Sequence, residues 1–318
     1  MIQEKIKDLL EKNIIQEEQA TQLQAIYSGK LVSVFYELRT LLYLGVMLFT
    51  AGVGIIIYLN IGSIGHIISI IGLSLATIAC FIFAFLKGKP FSESKVEHAL
   101  PYLDYIVLLG ALLLVAVLGY LQFQFELLNQ YLGVSSLFSA IIFFFIAYRF
   151  DHIGVLSLGI TALAAFFGIS TSPIAWHSYD FFTVAPLVNV SIIFGLALIA
   201  LAFLLNKYEI KSHFTFTYYH FGLLLIFIAG LSGLFNKDSA GWFTLLLFGS
   251  VGLGIYLSRQ TNSLLFFVYS IVVAYIVTTY WISDTDFFEA IWFLYFMFSC
   301  GGLIFFIITA RKIFKRKV

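Results

Sequence analysis

Charge is what this sequence has least of. Only 11% of its 318 residues are Asp, Glu, Lys or Arg, while 61% are hydrophobic and the mean hydropathy is +0.99. A soluble domain of this length needs far more charge to cover its surface, so lipid must be the solvent for most of the chain. Cysteine is nearly absent. Cys80 and Cys300 both sit inside apolar runs, form no metal or redox motif, and read as small packing residues. There are four prolines, and Pro186 lies within a long apolar run. HExxH, GxSxG and Walker patterns are all missing, which removes the common hydrolase and nucleotide-binding signatures. A net charge of +1, without a basic patch interleaved with aromatics, gives no sign of nucleic-acid binding. No cofactor or metal is indicated.

What is present is a series of uncharged apolar runs of about 17–23 residues, long enough to cross a bilayer core as helices. There are ten: 41–59, 64–86, 102–121, 131–148, 153–169, 183–205, 218–235, 240–257, 263–282 and 288–310. The alternating polarity of a membrane β-barrel is missing. The expected fold is therefore all-α, a polytopic integral membrane bundle of ten transmembrane helices. Its short connections make neighbouring helices antiparallel.

The positive charges add orientation. With ten spans, Lys5, Lys7, Lys12, Lys30 and Arg39 share a side with Lys87, Lys89, Lys95, Arg149, Lys207, Lys211 and Arg259. The tail residues Arg311, Lys312, Lys315, Arg316 and Lys317 join them. The opposite loops hold Lys237 as their one Lys or Arg, with Glu126, Asp180, Asp238, Asp284, Asp286 and Glu289. The positive-inside rule then places both termini in the cytoplasm. Trp176, Trp242, Trp281 and Trp292 all map to the outer side, as an interfacial aromatic belt would.

Three regions follow: a soluble segment 1–40, a membrane domain 41–310 and a basic tail 311–318. In the first, Ile2, Ile6, Leu9 and Leu10 recur at helical spacing, and Asn13 suits a helix end. Glu17 and Glu18 suit the first turn of a second helix, with Ala20, Leu23, Ile26 and Tyr27 as its apolar stripe. The result is an amphipathic helical hairpin. It is either a cap packed on its own bundle or interface, or a docking module through which residues 1–30 meet a cytoplasmic or membrane partner. No signal-peptide pattern precedes the first span, which is expected to act as an uncleaved insertion signal.

The membrane domain has no Asp, Glu, Lys or Arg near the middle of a span, so the usual markers of proton relays and ion paths are missing. Asp104 is closest, near the inner start of the third span, where it is solvated or reaches Lys95. Pro186, Asn189 and Ser191 make the best intramembrane polar feature: the proline favours a kink, and Asn189 can satisfy a freed carbonyl or bond a neighbouring helix. His177 and Asp180 form the richest outer loop, which reads as a polar turn; a metal site would need more ligands than these and His66. Asp151-His152 reads as a solvated inner turn, with an acid/base pair as the other reading. His213 and His220 read as interface residues at the start of the seventh span. Small residues, including Gly45, Gly52, Gly222, Gly230, Gly249, Gly252, Gly301 and Gly302, predict close helix packing.

The stretch from Leu9 to Ala20, the run from Leu44 to Gly54 followed by Asn60, and the glycine-led span from Gly110 to Gln122 together resemble the domain-of-unknown-function 2157 family of predicted bacterial membrane proteins. The likeness covers roughly the first 125 residues. Asn60 is followed by Ile61-Gly62 where Trp-Asp is expected, and Gln16 stands in place of a Ser cap. The resemblance brings no activity, ligand or catalytic residue, but it directs attention to Asn60 and Gln122. Ten spans with both ends inside also resemble the topology of the drug/metabolite transporter superfamily.

Two functions remain. One is a non-enzymatic inner-membrane scaffold or sensor that acts through the hairpin. The other is a transporter of a neutral or lipophilic solute, in which 41–169 and 183–310 are inverted halves, as an odd half-count of five requires. An enzyme would need His66, Glu126, His177 and Asp180 to converge on the outer face.

Overall fold

A computed structural model describes residues 6, 10, 16, 19–20, 35–96, 100, 102–125, 132–171, 185–235, 240–283 and 285–315. Ten of its helices are long and apolar enough to cross a membrane, and the described residues contain no strand. They are α1 (Phe35–Ile64), α2 (His66–Lys87), α3 (Leu103–Phe125), α4 (Leu132–Phe150), α5 (Ile153–Thr171), α6 (Ala185–Lys207), α7 (Thr215–Leu234), α8 (Ala240–Gln260), α9 (Leu264–Ser283) and α10 (Asp286–Lys315). Each expected span falls on one of them. Helices are the natural outcome here because hydrocarbon offers the backbone no partner, so every amide must bond within its own segment.

The chain divides into two compact units, Met1–Gly72 and Leu73–Val318. In the first, Ile6, Leu10, Gln19 and Ala20 are helical, and the rest of the expected hairpin lies outside the described residues. The Gln16 amide donates to Gln19 Oε1 at 3.0 Å, and the Ala20 amide to Gln16 O at 2.9 Å. That is one half of a capping box, built by glutamine without the Ser that usually starts it. A single residue, Gly65 at φ 80°, separates α1 from α2. A side chain there would be strained, so glycine sets this turn.

The second unit is organised around α7, whose Tyr218, Gly222, Leu223, Ile226, Gly230 and Gly233 are all buried. It packs on α6 and α8, while α4 pairs with α5 and α8 with α9. Bundles in lipid lack a hydrophobic drive between helices and depend on close backbone approach. Gly195 and Gly222 provide it between α6 and α7: a Cβ on either would lie 2.8 Å from the other's carbonyl oxygen. Gly230 fits against Leu247 and Gly233 against the Phe243 ring in the same way. The expectation of tight packing fails at Gly45, Gly52, Gly249, Gly252, Gly301 and Gly302, which have open space beside them. There the small residue sits on a face that no described helix covers. Tyr275 to Ser299 (3.0 Å) and Thr279 to Tyr295 (2.8 Å) are hydroxyl pairs linking α9 to α10.

Three helices that finish at one end of this unit share an ending. The amides of His152, Ile210 and Ser263 reach back to the carbonyls of Ala147, Leu205 and Ser258 at 3.0, 3.1 and 3.0 Å. The residue before each amide is left-handed: Asp151 (φ 60°), Glu209 (φ 57°) and Asn262 (φ 51°). This is the six-to-one closure in which glycine normally sits. That end also carries Arg149, Lys207, Lys211 and Arg259 and is called the basic end below. Trp242, Trp281 and Trp292, all exposed, lie at the opposite end, as a belt requires, and Trp281 Nε1 donates to Thr244 Oγ1 at 2.9 Å. Trp176 lies outside the described residues.

Candidate functional site

The half of α5, α6 and α7 away from the basic end encloses a groove of about 410 Å³. Leu187, Val188 and Ser191 of α6 form its floor; Ala165, Gly168 and Ile169 of α5 and Leu225, Ile228 and Ser232 of α7 line its sides. Small residues make the room: α5 contributes Ala164, Ala165 and Gly168 in a row that cannot fill the gap to α7. Leu225 is at the middle of the 20-residue α7 and Ser232 in its last turn. At 1.5 Å per residue the groove therefore runs about 10 Å from mid-helix towards the end. Its lining carries no charge, and the hydroxyls of Ser191 and Ser232 are its side-chain polar groups. Ser139, Ser157, Thr161 and Thr171 bond back onto their own helices. Ser191 makes no such bond among the described residues. The volume falls within the range of about 300–1,000 Å³ typical of small-molecule sites.

Two expectations for α6 need correction. Pro186 does not kink the helix: it lies in the first turn of Ala185–Lys207, where its missing N–H costs no hydrogen bond. Asn189 is exposed and does not line the groove; with successive residues about 100° apart, the face carrying Leu187, Val188 and Ser191 turns it outward. Asn60 lies near the end of α1, and its side chain is outside the described residues. Gln122 sits near the end of α3, its Nε2 buried with no hydrogen-bond partner among the described residues. His177, Asp180 and Glu126 lie outside the described residues, so the outer-face convergence an enzyme needs has no structural description. Among the described residues no group of three or more His, Cys, Asp and Glu could hold a metal ion.

The basic end holds a feature the sequence misplaced. Asp151-His152 is not a solvated turn, because Asp151 has 2% of its side chain exposed and His152 is buried. Asp151 Oδ2 accepts the Val96 amide at 2.5 Å. Its Oδ1 lies 3.1 Å from Lys211 Nζ and 2.5 Å from His213 Nε2. Lys211 is fully buried, left-handed (φ 47°), and its amide donates to Glu93 O at 2.7 Å. Its ammonium also lies 5.1 Å from the centre of the Phe91 ring. One carboxylate thus knits three connectors: 91–96, the two-residue α4–α5 turn, and the α6–α7 link. Next to Asp151, His152 Nδ1 accepts the Val155 amide at 3.1 Å and caps the start of α5. Arg149 Nη1 donates to Lys89 O at 2.7 Å, with its guanidinium over Phe85 and Phe150. His213, read from the sequence as an interface residue, is thus part of a buried ion-pair cluster.

No curated protein and no solved structure matches the chain. Residues 7–156 match the model of a family described as "Predicted membrane protein (DUF2157)", a stretch that extends past the expected 125 residues and takes in Asp151 and His152.

Proposed function

We propose that this membrane protein binds a neutral, lipophilic solute in the groove between α5 and α7 and carries it across the bilayer. The observation that carries this reading is the uncharged groove itself, which reaches from mid-helix to one end and presents the Ser191 hydroxyl with no hydrogen-bond partner among the described residues. Such a lining suits an apolar body with one hydrogen-bonding group; a charged solute would lose its hydration there without compensation. In the proposed orientation both termini and the basic end face the cytoplasm, so the groove lies in the outer half.

The test is photo-labelling in membranes with a long-chain fatty alcohol that bears a diazirine. Labelled peptides should map to α5 and α7, and Ser191→Phe, which fills the floor, should abolish the labelling. Labelling spread evenly over the lipid-facing helices, unchanged by Ser191→Phe, would contradict the reading.

A second reading, a scaffold or sensor that meets a partner through residues 1–30, has the Gln16–Gln19 capping contact on its side, which favours a helix starting there. Deleting residues 1–30 should then remove a co-purifying protein; an unchanged set of partners would count against it.

A further inference from the structure

The Asp151 cluster joins the connectors of the three helices that line the groove. Asp151 and His152 lead directly into α5, while Lys211 and His213 belong to the link between α6 and α7. The carboxylate therefore ties the start of α5 to the α6–α7 hairpin at the basic end. At the other end the groove holds α5 and α7 apart.

An apolar contact would close this end more cheaply. Charges taken out of water lose hydration that their mutual attraction only partly returns. What an ion pair offers instead is a second state, because the same groups regain water when they separate. Such a contact is stable both dry and closed and wet and open, which is the property a switching element needs. The fit inside the cluster is incomplete. Lys211 Nζ is within ion-pair distance of Asp151 yet makes no well-aligned hydrogen bond, and His213 Nδ1 is buried without a hydrogen-bond partner among the described residues. Asp151, Glu209 and Lys211 are also left-handed, so the connectors themselves hold strain that movement can relax.

We infer that Asp151, Lys211 and His213 form a releasable clasp at the basic end. When shut, it holds α5 on the α6–α7 hairpin; when released, α5 swings away from that hairpin and opens a path from the groove to the basic end. The opening rests on the geometry of the clasp, and its use in passing a solute rests on the reading of the groove given above.

The test uses the full chain in lipid nanodiscs with Cys80→Ala and Cys300→Ala. Spin labels on Ile153→Cys at the start of α5 and Tyr208→Cys on the link report their separation; both positions are exposed. The parent should give one narrow distance population. Asp151→Asn, which strands the Lys211 charge, should shift a resolved fraction of pairs to a longer distance. Adding Lys211→Met should return them to the short one, because the stranded charge is gone. If Asp151→Asn does not survive purification, Lys211→Met combined with His213→Ala removes both side chains that face the carboxylate and should show the same longer population. A single short population in every folded variant overturns the clasp. Photo-labelling on the same samples separates the two ideas. A longer population without groove labelling keeps the clasp and removes the solute site. Groove labelling without a longer population does the reverse.

Discussion

Gly195 and Gly222 face each other where α6 crosses α7, and a Cβ on either would come within 2.8 Å of the other's carbonyl oxygen. No side-chain rotation relieves a contact with backbone. Gly222→Val should therefore push α6 off α7 and cost about 1–3 kcal/mol, the usual range for overpacking. Thermal unfolding in detergent reads this. Gly252→Val, with open space beside it, is the control and should unfold like the parent.

The shared helix endings give a prediction of opposite signs. Glu209 is left-handed and exposed, and its side chain makes no hydrogen bond or ion pair among the described residues. Glu209→Gly should stabilise by about 0.5–1 kcal/mol, because the left-handed penalty for an L-residue is about 1–2 kcal/mol and glycine returns part of it as chain entropy. Asp151→Gly relieves the same strain but strands Lys211, and removing one member of a buried pair costs about 3–5 kcal/mol. It should therefore destabilise. Equal effects from the two glycines, read by the same unfolding assay, would show that Asp151 does not hold the cluster together.

Pro186→Ala should change stability by less than about 0.5 kcal/mol, since a proline in a first turn forfeits no helical hydrogen bond. A large change in the unfolding midpoint would mean that the proline shapes the helix after all.

These contrasts show what the sequence could convey. Ten spans were legible because an uncharged run of sufficient length has one stable arrangement in lipid. The boundary at Pro186 was not, because the apolar run starts at residue 183 and hydropathy does not separate a first turn from an interior one. Nor was the lining face of α6: its residues are apolar all round, so nothing in the pattern prefers Ser191 over Asn189. The clasp was hidden for a different reason. Asp151 and Lys211 are 60 positions apart, each looks like an ordinary loop charge, and their burial depends on a left-handed turn that the sequence fills with Asp in place of glycine.

Orientation is open to a direct test. With Cys80 and Cys300 replaced by alanine, Tyr208→Cys should react with a membrane-impermeant maleimide in inside-out vesicles and not in intact cells. Trp242→Cys should do the opposite. Both are exposed, at the basic and opposite ends respectively. A reversed pattern would put the basic end outside and contradict the proposed topology.

The central claim is the groove, and the most direct measurement is a cryo-electron-microscopy map of the full chain in lipid nanodiscs. The account predicts an elongated non-protein density between α5 and α7, lying over Ser191 with Ala165 and Ile228 on either side. A map in which Ile169 and Ile228 meet across the gap, leaving no space above Ser191, would contradict it.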